Sequence, residues 1–167
     1  KPVWAGFALA GVVVALDQVS KAWLLAWLEE QGAWQQVTGF FNLVMVWNRG
    51  VSFGMFQSGE TGRWLLVLFS TLVCLGMAIW LWRQNKFWPG LALGAVIGGA
   101  LGNIIDRIWR GAVADFFDFH MFGYHWPAFN VADSAITIGV AMLLYDSFRP
   151  SKGTGDPDSS DHRSGDV

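Results

Sequence analysis

Two short segments hold carboxyl groups in settings different enough for acid/base chemistry. In Val113-Ala114-Asp115-Phe116-Phe117-Asp118-Phe119 two acids are interleaved with aromatic residues, and partial desolvation by such neighbours raises a carboxyl pKa. In Phe129-Asn130-Val131-Ala132-Asp133-Ser134, Asp133 falls in the first turn of an apolar helical stretch, where the helix dipole favours an ionised acid. Asp115 protonated and Asp133 ionised is a combination suited to peptide hydrolysis. The carboxylate takes a proton from water, which attacks the carbonyl; the neutral acid hydrogen-bonds the developing oxyanion and then assists the leaving amine. Two acids sharing a proton titrate as a pair, and the reaction needs no metal, cofactor or nucleophilic side chain. Read alone, Asp133 also fits a helix N-cap, and Asp118 reads as a cap or a solvent-facing acid.

Other polar residues sit inside apolar stretches, where a charge costs roughly 2.5 to 3.5 kcal/mol on insertion scales and so needs a partner or a task. Asp17 and Lys21 are four apart with the acid N-terminal, the favourable order for a helical ion pair. Asn103, Asp106 and Arg107 close another stretch, with Asn103 and Arg107 one turn apart. They read either as an interfacial cap with an Asp106 to Arg110 pair, or as a polar wall that orients loops or substrate carbonyls. From a different functional class, embedded Asp17, Asp115 and Asp133 are also what a proton relay in a small transporter or channel would require.

Two further patterns carry less. Gly50-Val51-Ser52-Phe53-Gly54 matches a nucleophile elbow, but that motif belongs to a strand-to-helix turn in a large α/β sheet, for which this chain has no room. His120 and His125, taken with Asp115 and Asp118, match no standard zinc spacing and read as interfacial histidines. Cys74 is the only cysteine, so no intrachain disulfide is possible, and it reads as a small packing residue.

The elements that must position the acids are membrane helices. Of 167 residues, 53% are apolar and 14% charged, and the stretches 64–82 and 87–105 approach the roughly 20 apolar residues that a helix needs to cross a bilayer. The segments 3–28 and 128–148 have the same character with polar residues embedded. The first is expected to be a retained span, because no small-residue cleavage site follows it. Eight of the 11 tryptophans, at 4, 27, 34, 64, 82, 88, 109 and 126, fall near the expected span ends, where indole rings anchor helices at headgroup level. The net charge of -2 comes with no basic cluster, so a nucleic-acid partner is not expected.

Four spans place both termini on one side and two larger connections, 29–63 and 109–129, on the other. Lys1, Arg83, Lys86, Arg149, Lys152 and Arg163 against Arg49, Arg63, Arg107 and Arg110 favour cytoplasmic termini. Phe41 to Trp47 is rich in bulky and β-branched residues and precedes Asn48-Arg49-Gly50, so it reads as a strand entering a turn, part of a small sheet in the first outer connection. Gly90, Gly94, Gly98 and Gly102 form one stripe on the third span, suited to close helix packing in lipid. The organisation expected is one four-helix membrane domain over 1–150 and a disordered, Gly-, Ser- and Asp-rich cytoplasmic tail over 151–167.

Taken in order, Asp17-Gln18-Val19-Ser20-Lys21, Asn48-Arg49-Gly50-Val51-Ser52-Phe53-Gly54, Gly98-Gly99-Ala100-Leu101-Gly102-Asn103-Ile104-Ile105-Asp106-Arg107, Val113-Ala114-Asp115-Phe116 and Phe129-Asn130-Val131-Ala132-Asp133-Ser134 resemble the lipoprotein signal peptidase family, also called signal peptidase II. The resemblance runs from the first span through the fourth. It implies a membrane aspartic endopeptidase of the bacterial inner membrane with Asp115 and Asp133 catalytic near the outer face. Asn48, Gly54, Asn103, Arg107, Asn130 and Ala132 would surround the site, and Asp17 with Lys21 would form a supporting polar pair. It further implies a diacylglyceryl-modified prolipoprotein as substrate, cut N-terminal to the lipidated cysteine, with membrane lipid as a partner and the cyclic peptide globomycin as inhibitor.

Overall fold

A computed structural model describes residues 2–50 and 59–148. The expectations for Ser52 and Gly54, and for a disordered tail, lie outside those residues. In chain order the elements are α1 (Pro2–Gln31), β1 (Trp34–Thr38), β2 (Phe41–Asn48), α2 (Gly59–Trp82), α3 (Phe87–Trp109), β3 (Val113–Met121), β4 (Tyr124–His125) and α4 (Val131–Phe148).

All four helices are long and apolar enough to cross a membrane. Their outward faces expose Val12, Leu16, Leu68, Phe69, Leu72, Leu75, Ile79 and Leu144. In water such a continuous apolar surface would be an aggregation liability; against lipid tails it is the matching face. Trp4, Trp64, Trp82, Trp88 and Trp109 are exposed at helix ends, as anchoring at the headgroup level demands.

α3 is the central helix, buried along most of its length. Its glycine stripe faces α1. A Cβ at Gly98 would meet Ala10 O at 2.7 Å, one at Gly94 would overlap Gly6 O, and one at Gly102 would come within 2.5 Å of Asp17 Oδ2. Gly99, a quarter-turn away, lies equally close to Ala132 O on α4. Lipid supplies no hydrophobic drive between helices, so backbone approach of this kind is what gains dispersion contact.

α1 continues about ten residues past Lys21, roughly 15 Å at the helical rise, and this extension carries the sheet. Leu24 and Leu28 pack on Phe116, with Leu43, Met45, Phe117 and Val131 around them. The sheet is antiparallel in the order β1-β2-β3-β4. It is therefore not built from residues 29–63 alone: β3 and β4 come from the connection between α3 and α4. Cross-strand aromatic packing explains the pairing, since Phe41 lies opposite Phe119 with ring centroids 4.7 Å apart.

Candidate active site

The middle of β3 and the residues leading into α4 are joined by main-chain hydrogen bonds. Phe117 and Phe129 form an antiparallel bridge, with Phe117 N donating to Phe129 O at 2.9 Å and Phe129 N to Phe117 O at 3.1 Å. The next residue, Asn130, caps α4: its Oδ1 accepts from Asp133 N at 2.9 Å, while Asp133 Oδ2 accepts from Asn130 N at 3.3 Å. This is the reciprocal capping-box arrangement. The N-cap is Asn130, and Asp133 lies in the first turn.

Asn130 also reaches the other acid. Its Nδ2 donates to Asp115 Oδ1 at 2.7 Å and lies 3.3 Å from Asn103 Oδ1. Asn103 Nδ2 in turn donates to Asp133 Oδ1 at 2.8 Å. The remaining Asp115 oxygen, Oδ2, accepts from Asn48 Nδ2 at 3.1 Å. Thus β2, α3 and the cap of α4 each place an amide against the two carboxyl groups. The expected neighbours Asn48, Asn103 and Asn130 are brought together here, while Gly54 lies outside the described residues.

Asp115 is 2% exposed. Burial, followed by the nearby charge of Asp133, pushes its pKa up to about 6 against the lowering effect of hydrogen bonds from Asn48 and Asn130. Arg107 on α3 donates from a terminal nitrogen to Asn103 O at 3.3 Å and lies within electrostatic reach of both acids. Its Nε is buried and has no partner among the described residues. Ala132 is fully buried, and its N–H goes to Asp17 Oδ1 at 3.0 Å.

Asp17 and Lys21 pair at 2.8 Å, and Lys21 also meets Asp106 at 2.7 Å. Asp106 pairs with Arg110 as well, as the interfacial-cap reading of this stretch anticipated. Gln18 joins the group, with Nε2 3.1 Å from both Asp17 Oδ2 and Asp106 Oδ1. In the sequence Gln18 carried no role beyond its place in the motif from Asp17 to Lys21. A cavity of about 480 Å³ opens farther along the ends of β2 and β3, between Trp47, Arg49, Arg63, Arg110 and Ala112.

Asp118 departs from its expectation. It is neither a cap nor solvent-facing but 6% exposed, accepting from Asn42 Nδ2 at 2.8 Å with His125 Nδ1 2.9 Å from both carboxyl oxygens. Burial alone would raise its pKa, but the bonds from Asn42 and His125 outweigh it and hold the carboxyl below its usual range. His120 stacks on His125 with ring centroids 5.0 Å apart. The sequence signal for this cluster was period 2 alone: Phe117 and Phe119 fall on the opposite face of β3 from Asp118.

The sequence profile of the family described as Signal peptidase (SPase) II matches residues 9–149. The chain belongs to the signal peptidase II family. Among its relatives, the lipoprotein signal peptidase of Caulobacter vibrioides is 46% identical over 147 residues, 87% of each chain. That of Beijerinckia indica is 42% identical over 160 residues, covering 94% of this chain and 96% of the relative. Two solved structures, described as bacterial membrane enzymes obtained by the in meso method, are each 29% identical. The one at 2.3 Å has a TM-score of 0.70 and covers 88% of this chain and 92% of that one; the one at 1.9 Å has 0.74, with 87% and 94%. Membership of signal peptidase II makes this chain a membrane peptidase.

Proposed function

We propose that the chain is an aspartic endopeptidase that removes the signal peptide from diacylglyceryl-modified prolipoproteins, with Asp115 and Asp133 as the reacting pair. The observation that carries this reading is that one residue, Asn130, hydrogen-bonds both acids from the point where β3 and α4 meet. The acids accordingly share one polar pocket while differing in surroundings.

In this reading Asp115, whose carboxyl titrates near 6, enters the reaction protonated and donates to the oxygen of the scissile carbonyl. Asp133, in the first turn of α4, takes a proton from the attacking water. The tetrahedral intermediate then collapses as a proton passes to the leaving nitrogen, and the pair returns to its one-proton state. Asn48, Asn103 and Asn130 hold the carboxyl groups in orientation, and the unpartnered Nε of Arg107 offers a donor for a substrate carbonyl. Gly54 is assigned to the surroundings of the site through the family pattern. No metal or cofactor enters any step.

The bilayer supplies the positioning. A diacylglyceryl tail keeps the lipobox cysteine at the interface while the signal helix stays in the membrane, so the bond N-terminal to that cysteine meets the acids without a free diffusional search. Both termini are assigned to the cytoplasm, with the sheet and the acids at the outer face of the bacterial inner membrane, as the balance of Lys and Arg favours. Globomycin would occupy the same pocket.

The test is cleavage of a purified lipidated precursor in detergent or vesicles, with and without globomycin. Wild-type protein should cut it and be inhibited, while Asp115→Asn and Asp133→Asn should insert normally and leave the precursor intact. Normal turnover by either variant ends the proposal, and proton flux in liposomes without any cleavage would favour the relay reading instead.

A further inference from the structure

The buried charges of the helical bundle are arranged around the two reacting acids in a way that ion pairing between helices does not require. Asp106 Oδ2 accepts the backbone N–H of Ala114 at 3.2 Å, and Asp17 Oδ1 accepts that of Ala132 at 3.0 Å. Ala114 and Ala132 are the residues immediately before Asp115 and Asp133. Lys21 joins the two acceptors, 2.8 Å from Asp17 Oδ2 and 2.7 Å from Asp106 Oδ2, and all three side chains are fully buried.

We propose that Asp106 and Asp17, tied together by Lys21, are positioning residues that set the spacing of Asp115 and Asp133 by each gripping the main chain one residue upstream. This rests on the reading of Asp115 and Asp133 as the reacting pair.

The grips act on backbone with little freedom to shift. Ala114 is 1% exposed and Ala132 fully buried, and the Ala132 Cβ would sit 3.4 Å from a Cβ added at Gly102. One grip comes from α1 and the other from α3, so the covalent route between the two runs through β1, β2 and α2. The ammonium of Lys21 is the short route. Gln18 Nε2 spans the same two carboxylates. With Arg110 on the outer side of Asp106, two acids face two cations. The support therefore adds no net charge beneath Asp115, whose proton affinity Lys21 lowers.

If Asp17, Lys21 and Asp106 served only to hold α1 against α3, any loss of charge would be equally harmful. A positioning role depends instead on an acceptor oxygen at each grip. Asparagine keeps one and leucine does not, so the full chain is compared as Asp106→Asn, Asp106→Leu, Asp17→Asn and Asp17→Leu, assayed on a diacylglyceryl-modified precursor. A misplacement of about 1 Å can cost ~10²-fold in rate. The leucine variants should accordingly lose between about tenfold and a hundredfold in kcat with KM within about twofold, and the asparagine variants should recover most of that loss. Amide hydrogen exchange gives the selective readout: Asp106→Leu should speed exchange at Ala114 and leave Ala132 protected, and Asp17→Leu should do the reverse.

Where Asp106→Leu does not accumulate, the charge-neutral pair Lys21→Met with Asp106→Leu serves in its place, with the same loss of kcat and fast exchange at Ala114. Leucine variants with wild-type kcat, asparagine variants as slow as leucine, or unchanged exchange at both alanines would each overturn the proposal. Asp115→Asn and Asp133→Asn run beside them. Inactive dyad variants with fully active leucine variants remove the positioning role alone, whereas an active dyad variant removes the reading it rests on.

Discussion

Asn130 Nδ2 lies 2.7 Å from Asp115 Oδ1, while the other end of the same amide caps the helix that carries Asp133. One residue thus contributes a donor to one acid and a helix start to the other, and the two roles separate by substitution. Asn130→Asp keeps a capping oxygen but replaces the donor with a third carboxyl. It should cleave much more slowly and move the pH dependence of cleavage upward, because a like charge raises a neighbouring carboxyl's pKa. Asn130→Ala loses both roles and should also lose about 1 kcal/mol of stability with the cap. Thermal unfolding beside precursor cleavage reads the two effects apart.

The pKa of about 6 at Asp115 makes activity and stability depend on pH in defined directions. In the proposed mechanism the free enzyme needs the proton on the pair, so kcat/KM, which reports the free enzyme, should fall as pH rises through about 6. For stability, a carboxyl whose folded pKa lies above its ordinary value of 3.8 contributes fully below 3.8. That contribution is lost as pH rises through about 6. The gap corresponds to about 3 kcal/mol. Asp115→Asn abolishes it, so the melting temperature of wild type relative to Asp115→Asn should decline between pH 4 and pH 7 and then level off. A difference that stays flat with pH would contradict the assignment.

The helices were legible because their signals are local: unbroken apolar length, tryptophan at the ends, and glycine at every fourth position of α3. The contents of the site were legible as residue types, since an amide or acid beside an apolar run calls for a partner wherever it lies. The sheet was half legible. β2 declares itself through Leu43, Val44, Met45 and Val46, but β3 mixes Asp115 and Asp118 with three phenylalanines and main-chain pairing to β2. Its strand character depends on Phe41 and on α1 beneath it, both far away in sequence. The grips on Ala114 and Ala132 were invisible for a related reason, because a bond to a backbone N–H leaves no mark on residue type. Asp118 was misread because its partners Asn42 and His125 lie on the strands to either side of β3.

Asp118 is a structural acid in this arrangement, and its pKa gives the opposite sign from Asp115. A carboxyl held below its ordinary 3.8 contributes stability that is present above 3.8 and lost as pH falls through the lower folded value. Asn42→Ala removes the 2.8 Å bond to it, and a hydrogen bond to a charged group contributes about 1.5–3 kcal/mol. The variant should therefore melt earlier at neutral pH, and the difference from wild type should shrink on acidification. Cleavage per folded molecule should stay at the wild-type rate, since Asn42 touches neither reacting acid. A fall in kcat with unchanged stability would instead place Asp118 in the chemistry.

The contact between α1 and α3 gives the last expectation, because it separates glycines by what surrounds them rather than by where they sit in sequence. Gly98 on α3 has Ala10 O, Ala10 Cα and the Val13 side chain within 3 Å of where a Cβ would stand, and two of those atoms are backbone. Gly98→Val must therefore push the helices apart, and overpacking of this kind costs about 1–3 kcal/mol or more. The displacement is transmitted to the paired charges one turn farther along, because Gly102 faces Asp17 on the same stripe. Gly98→Val should accordingly reduce both melting temperature and kcat. Gly76 on α2 has nothing within 4 Å of its Cβ position, so Gly76→Ala should change neither. Thermal unfolding and precursor cleavage on the two variants side by side decide the point: equal behaviour would mean that the close approach of α1 and α3 does not hold the site.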